Sequence, residues 1–172
     1  MALKFIAVTC LTALSLTNAS DIIINSYRMD PETDPKFFDP GTLRITKKSR
    51  NMLVVSGSYQ SFENLGDDYQ FMYCLKLKSP VTGNYRIVLQ RQMPVCEFMD
   101  TDTNILPKLR EVSNISKQGE CPVPRANYTI QNFKVALPET LPLSPGDYLV
   151  VGQFIKDGVM RMGLEWDFTV LP

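Results

Sequence analysis

The chain has 172 residues, in which 18 lysines and arginines balance 18 aspartates and glutamates, and it contains no histidine. No basic run is longer than Lys47-Lys48-Ser49-Arg50, so the sequence does not favour a nucleic-acid partner, whose phosphates demand clustered positive charge. The missing imidazole also excludes the usual serine and cysteine hydrolases and most catalytic zinc or iron sites, which use histidine as a base or ligand.

The N-terminal segment has the pattern of a secretory signal peptide, spanning residues 1–19. Lys4 precedes an apolar stretch over 5–16 that is too short to span a bilayer, and Thr17 and Ala19 suit the positions before a cleavage site. A buried N-terminal helix or strand is the alternative. We therefore predict a secreted, extracellular protein that does not span the membrane and has one domain over residues 20–172.

Most of the remaining sequence alternates apolar and polar residues in the way that is typical of β-strands. The predicted strands are 21–29, 42–46, 52–62, 68–78, 84–93, 127–137, 147–156 and 160–171. The sharpest hairpin signal between them is Asp157-Gly158, and a slip of the apolar phase between Ile130 and Phe133 indicates a bulge. Short strands at this spacing predict an all-β fold, a sandwich of two antiparallel sheets.

Loss of the signal peptide would leave three cysteines, so one thiol would have no partner within the chain. A bridge between Cys96 and Cys121 would close a loop of about 25 residues, worth roughly 3.5 kcal/mol in the chain-entropy model. A bridge between Cys74 and Cys96 is the alternative. Cys74 lies on the polar face of its predicted strand, which indicates either a small hydrophobe at a half-covered position or an intermolecular bridge.

One segment partly matches a calcium-binding loop. Four oxygen-bearing side chains fall at its ligand positions: Asp100, Asp102, Asn104 and Glu111. Ile105 stands where that loop requires glycine for a sharp turn, which disfavours calcium. A short helix around residues 100–113 that begins near an aspartate or asparagine explains the pattern better.

Without histidine, hydrolysis would need a pair of carboxylates, as in glycosidases. The nearest pairs are Asp67 with Asp68 and Glu165 with Asp167. Adjacent residues on a strand point to opposite faces, and the second pair alternates with apolar residues on a face that is predicted to meet solvent. We therefore predict no enzymatic activity, no cofactor and no metal site.

Two asparagines lie in N-x-Ser/Thr sequons, which accept N-glycans in secreted proteins: Asn114 and Asn127. Asn114 falls in the loop before Cys121 and is the better placed acceptor, whereas Asn127 opens a strand, where access is poorer. A third sequon, at Asn18, lies within the predicted signal peptide.

Several predicted strands carry a continuous apolar face, which suits either a filled core or the wall of a pocket. The candidate lining residues for an apolar ligand are Phe71, Tyr73, Ile87, Leu89, Tyr148, Val150, Phe154, Met162, Leu164, Trp166 and Phe168. Periodicity alone does not separate the two interpretations.

Four motifs together resemble a known family. They are Cys96-Glu-Phe-Met with the helical segment after it, Cys121-Pro122, Asn127-Tyr-Thr-Ile, and Leu141-Pro-Leu-Ser-Pro-Gly-Asp-Tyr148. With them the chain resembles a large family of small secreted insect proteins that includes the chemosensory B proteins, which is similar in turn to the ganglioside activator protein and the ML lipid-recognition superfamily. The resemblance implies a β-sandwich splayed into a cup, an apolar cavity between its sheets, a Cys96–Cys121 disulfide and no catalysis.

The leading functional hypothesis is a secreted binding protein for an apolar ligand, a lipid or pheromone-like hydrocarbon, that acts in insect chemosensation, with a chemosensory receptor as a further partner. The alternative is an extracellular protein–protein interaction module with a filled core. The two hypotheses differ in whether the space between the sheets is open or packed.

Overall fold

The fold is taken from a computed structural model that describes residues 22–49, 52–135 and 143–171. The predicted signal peptide lies outside these residues. The described elements, in chain order, are strands and two short helices: β1 Ile22–Met29, β2 Phe38–Asp39, β3 Arg44–Ser49, β4 Met52–Ser61, β5 Tyr69–Lys78, β6 Tyr85–Pro94, α1 Val95–Thr101, α2 Leu106–Glu111, β7 Asn127–Val135, β8 Gly146–Lys156 and β9 Val159–Val170. Neither helix is long and apolar enough to cross a bilayer.

The strands form two antiparallel sheets, which confirms the predicted all-β sandwich. The first sheet has the order β1-β9-β8-β5-β6. The second is built on β4, which pairs with β7 along one edge and with β3 and then β2 along the other. In the first sheet, β6 is an edge strand, and its residues from Tyr85 to Gln92 are all exposed.

One end of the sandwich is closed by a tightly packed core. The rings of Tyr148 and Phe168 stack with centroids 5.2 Å apart, and the two side chains are 2% and 0% exposed. Leu53, from the second sheet, belongs to the same buried cluster. The Tyr148 hydroxyl donates a hydrogen bond to the Ser144 carbonyl at 2.8 Å, so burial of this polar group leaves it satisfied.

Two local features that were predicted from the sequence are confirmed. The β8–β9 hairpin turns at Asp157 and Gly158, whose φ angles of 52° and 74° suit a two-residue hairpin loop. In β7 the register shifts between its pairings with Val55 and Gly57, and Asn132 in the bulge has a φ of 56°.

The helical segment differs from the prediction. The single helix expected around 100–113 is observed as α2 over Leu106–Glu111, while α1 was not predicted. The Asp102 carboxylate accepts hydrogen bonds from the backbone N–H groups of Ile105 and Leu106, both at 2.7 Å. An aspartate thus binds two N–H groups where α2 begins, although the N-cap residue itself is Ile105, and the sequence had indicated an aspartate or asparagine near this start.

The cysteines divide into one bridge and one buried thiol. Cys96 and Cys121 form a disulfide with a Cα–Cα distance of 5.6 Å, so this pairing is confirmed. Cys74 is free and 3% exposed, so it is the small hydrophobe that was one of the two predictions, but at a buried and not a half-covered position. A thiol this deep is not accessible for an intermolecular bridge.

Candidate functional site

A cavity of about 640 Å³ lies between the two sheets. Small-molecule sites usually measure about 300–1,000 Å³ and have mostly apolar walls with a few polar groups. The first sheet contributes one wall, chiefly Phe71, Tyr73, Leu75, Leu89, Val150, Phe154, Met162, Leu164 and Trp166. The second sheet contributes the opposite wall, chiefly Ile45, Leu53, Val55, Tyr59, Ile130 and Phe133. The sheets therefore do not interlock along their whole length.

Aromatic contacts fix α1 against the first sheet at the side of the cavity. The Phe71 ring lies 4.1 Å from the Phe98 ring of α1 and 5.3 Å from the Phe154 ring of β8, centroid to centroid. Aromatic pairs in offset or tilted geometry contribute about 0.5–1.5 kcal/mol each beyond their buried area. Met99 of α1 also lines the cavity, so this helix forms part of its wall.

The cavity reaches the surface at a mouth formed by exposed polar residues. They come from β6, from the end of α1, from the segment that follows it and from α2: Arg91, Thr101, Thr103, Asn104 and Lys108. β6 is an edge strand of the first sheet, so the mouth lies beside an edge of the sandwich.

Eight of the eleven predicted lining residues lie on the cavity wall: Phe71, Tyr73, Leu89, Val150, Phe154, Met162, Leu164 and Trp166. The prediction is wrong for the other three residues, which do not line the cavity. Ile87 is 59% exposed, because a register shift pairs Leu89 with Leu75 but Ile87 with Lys76, so the two β6 residues point to opposite faces of the sheet. Tyr148 and Phe168 pack against each other in the closed core instead. The role of the eight residues in ligand binding remains a prediction.

Residues 72–150 match the family model described as "Protein of unknown function (DUF1091)". The matched region runs from β5 into β8 and includes both helices and the disulfide. The match covers less than half of the chain, so the similarity is limited to this region. No curated protein matches the chain.

Sequence reasoning missed the second wall of the cavity. Leu53 and Val55 belong to an unbroken apolar run in β4, which has no alternation that would mark one face as inward. Phe98 and Met99 were noticed only as part of a motif around Cys96, within the region that matches DUF1091. Phe98 and Met99 follow Cys96 by two and three residues, so a helix predicted over this motif would have placed both side chains near the disulfide.

The carboxylates that were considered for catalysis lie away from the cavity wall. Glu165 forms a salt bridge with Arg28, and Asp167 accepts a hydrogen bond from the Ser26 hydroxyl, both between β1 and β9. Asp68 forms an ion pair with Lys156 at 2.8 Å. None of the four acids lines the cavity, and the absence of enzymatic activity remains a prediction.

The segment that partly matches a calcium loop uses its acids for backbone contacts. The Asp102 carboxylate accepts hydrogen bonds from the Ile105 and Leu106 N–H groups, and the Asp100 carboxylate accepts one from the Gly119 N–H at 2.9 Å. Among residues 22–49, 52–135 and 143–171, no group of three or more cysteine, aspartate or glutamate side chains is arranged to hold a metal ion.

The two predicted glycan acceptors are neighbours in space. The Asn114 amide oxygen accepts a hydrogen bond from the Thr129 N–H at 2.7 Å, and its nitrogen donates to the Asn127 carbonyl at 3.1 Å. Both asparagines are exposed. Because the side-chain amide of Asn114 is already hydrogen-bonded, Asn114 is a less clearly preferred glycan acceptor than its loop position suggested. Glycosylation of either asparagine remains a prediction.

A charged cluster joins the β8–β9 hairpin to the segment before β5. The Tyr69 hydroxyl donates to the Glu63 carboxylate, and Lys156 lies 3.4 Å from Glu63, 2.8 Å from Asp68 and 4.6 Å above the Tyr69 ring. Burial raises the pKa of Tyr69 to about 12. The hydrogen bond from Tyr69 lowers the pKa of Glu63, and the one from Lys156 lowers the pKa of Asp68.

These shifts predict that the cluster stabilises the fold at neutral pH and not in acid. A carboxyl group whose pKa is lowered by folding stabilises the protein at any pH above its pKa in the unfolded chain, which is near 4. This stabilisation is lost as the pH falls through the pKa of the group in the folded protein. We expect Lys156→Gln to have a lower urea midpoint than the wild type at neutral pH. The difference should shrink below about pH 4, where Glu63 and Asp68 become protonated in both proteins.

The control for this prediction is Lys78→Gln, which removes an exposed charge outside the cluster. Its urea midpoint should follow that of the wild type at every pH. A Lys156→Gln deficit that stays constant from neutral pH into acid would contradict the electrostatic explanation and indicate lost packing of the lysine stem on Tyr69.

Proposed function

We propose that this protein is a secreted, non-enzymatic binding protein for an apolar ligand that is held between its two sheets. The observation that supports the proposal is the 640 Å³ cavity with apolar walls and a mouth at the protein surface. Burial of each methylene group contributes about 0.8 kcal/mol, so a lipid or pheromone-like hydrocarbon would gain affinity along its whole length without any specialised side chain.

Two further parts of the proposal have separate support. A disulfide is typical of proteins that fold in an oxidising compartment, which favours an extracellular location. A role in insect chemosensation, with a chemosensory receptor as a partner, rests only on the motif resemblance around Cys96, Cys121 and Asn127.

An interaction module with a filled core is disfavoured by the same cavity. Protein interiors usually pack at the density of organic crystals and leave few voids larger than a water molecule. A void of this size costs stability, so its retention between Val55 and Trp166 is better explained by occupation than by imperfect packing.

The protein contains an intrinsic reporter that allows a direct test. Trp166 is the only tryptophan of the chain and it lies on the cavity wall. A bromoalkane quenches tryptophan fluorescence only near contact, so titration should reduce the emission of the wild type, and a saturated alkane should restore it by competition. The Trp166→Phe variant is the control, because it should show no tryptophan signal.

The dependence on chain length sharpens this test. Affinity should rise about tenfold for every two added methylene groups, since two groups contribute about 1.6 kcal/mol, until the chain outgrows the cavity. An emission that does not respond to any bromoalkane would refute the proposed function. A response that does not depend on chain length would indicate contact at the surface only.

A further inference from the structure

We infer that the ligand of this cavity carries a neutral oxygen, in a carbonyl or hydroxyl group of an otherwise apolar chain, that accepts a hydrogen bond from the Tyr59 hydroxyl. The inference rests on the proposed function and adds the chemical class of the ligand. It is based on the position of Tyr59 on the cavity wall and on the lack of a hydrogen-bond acceptor for its hydroxyl among the described residues.

The seven tyrosines of the chain differ in what their hydroxyls bind. Three of them donate to an acceptor of the protein: Tyr69, Tyr128 and Tyr148. Tyr85 is 42% exposed, so water satisfies its hydroxyl. The remaining three line the cavity, and no described residue accepts a hydrogen bond from them: Tyr27, Tyr59 and Tyr73. The tyrosines without a protein partner are therefore those that line the cavity.

Among these three, Tyr59 is held in place by two neighbouring rings. Its ring centroid lies 5.3 Å from that of Phe38 and 5.3 Å from that of Tyr128. Both neighbours belong to a buried cluster that also contains Met162 of the first sheet, so the Tyr59 side chain lies between the two sheets. A donor on a ring that is fixed in this way loses little conformational freedom when it binds a ligand.

The Tyr59 hydroxyl is removed from bulk solvent without being enclosed by protein atoms. Burial is the main cause of a Tyr59 pKa that lies well above the ordinary value of a tyrosine. The residue nevertheless keeps accessible surface, and in the described part of the chain the only fully buried side-chain polar atom without a partner is Arg161 Nε. Because Tyr59 lines the cavity, the open space that its hydroxyl reaches is the cavity.

A desolvated hydroxyl at this position favours a ligand that contains oxygen. Phenylalanine would pack against Phe38 equally well, whereas a hydroxyl that loses water without gaining an acceptor costs free energy. A ligand carbonyl or hydroxyl oxygen removes this cost. A carboxylate fits less well, because the cluster around Tyr59 consists of apolar and aromatic residues and would leave a buried charge uncompensated.

The experiment measures the coupling between Tyr59 and the oxygen of a ligand. Dodecane and a series of dodecanones, with the carbonyl placed from the end to the middle of the chain, compete with a bromoalkane bound near Trp166. Tyr59→Phe should weaken the binding of at least one ketone by about tenfold and leave dodecane unchanged, since one buried hydrogen bond contributes about this factor. Each ligand is compared between two proteins, so differences in water solubility cancel.

Two further variants serve as controls. Tyr85→Phe removes an exposed phenol oxygen that does not line the cavity, so its affinity for every ligand should equal that of the wild type. In urea without ligand, Tyr59→Phe should be at least as stable as the wild type, because its hydroxyl has no protein partner. Tyr148→Phe should be less stable, because it loses the hydrogen bond to the Ser144 carbonyl.

Three results would overturn the inference and leave the apolar carrier intact. The first is an unchanged affinity of Tyr59→Phe for every ketone while dodecane still binds. The second is an equal loss of affinity for dodecane and the ketones, which would indicate altered packing. The third is a Tyr59→Phe variant as unstable as Tyr148→Phe, which would indicate that the hydroxyl binds the protein.

Two other results have different consequences. Selective loss of ketone binding in Tyr27→Phe or Tyr73→Phe, with Tyr59→Phe unaffected, would overturn the assignment to Tyr59, because another cavity tyrosine would be the donor. Failure of dodecane and of every ketone to compete with the bromoalkane would overturn the proposed function itself.

Discussion

The substitution Val150→Phe is expected to lower the affinity for an apolar ligand by at least about tenfold. The larger ring occupies space that the ligand would use, and the loss of two buried methylene groups of the ligand already weakens binding by this factor. Val150 lies in the middle of β8, between Leu75 of β5 and Trp166 of β9. It lines the cavity, so the added ring enters open volume and should cost little stability. Quenching of Trp166 by a bromoalkane measures the change.

The adjacent residue supplies a matched control. Val151 lies on the opposite face of β8, is 4% exposed and does not line the cavity. We expect Val151→Phe to leave ligand affinity unchanged and to lower the free energy of unfolding by about 1–3 kcal/mol, the usual cost of overpacking. If both substitutions reduced affinity equally, distortion of the strand would explain the result, and the ligand would have to be placed elsewhere.

Removal of the disulfide is expected to have the largest effect on stability. Replacement of Cys96 and Cys121 by alanine should lower the free energy of unfolding by about 3.5 kcal/mol, because the bridge no longer restricts the unfolded chain over a loop of about 25 residues. Urea denaturation of the variant and the wild type measures the difference directly.

The same bridge supports the cavity. Cys96 lies in α1, which places Phe98 and Met99 on the cavity wall, and Cys121 is followed by Val123, which pairs with Leu65. Ligand affinity should therefore fall together with stability when the bridge is lost. The disulfide joins α1 to the segment that pairs with Leu65, while the contact of Phe98 with Phe71 holds α1 against the first sheet.

Reducing agent and Cys74 provide the controls for the disulfide. The reductant should destabilise the wild type and Cys74→Ala by similar amounts and leave the Cys96→Ala/Cys121→Ala variant unaffected. A wild type that is insensitive to reductant under conditions that break the bridge would contradict the expected contribution. The buried free thiol of Cys74 should react with thiol reagents only after unfolding.

The local features of this protein follow from short stretches of its sequence. Alternation of apolar residues located the strands, the phase slip between Ile130 and Phe133 located a bulge, and Asp157-Gly158 located a hairpin. Each of these depends on residues that are adjacent in the chain, because backbone sterics and the twofold repeat of a strand act over a few residues. The helix α1 was not predicted, although its two buried residues, Val95 and Met99, stand four positions apart, as on one face of a helix.

The sequence by itself thus determined the fold class, the strand positions, a helix that begins near an aspartate or asparagine and the residues able to form a disulfide, whereas only the tertiary structure decided where the cavity lies. Leu164, Trp166 and Phe168 alternate identically along β9, yet the first two line the cavity and Phe168 is packed against Tyr148. The difference depends on the separation of the two sheets at each point, which is set by residues of β4 and β7 that are remote in sequence.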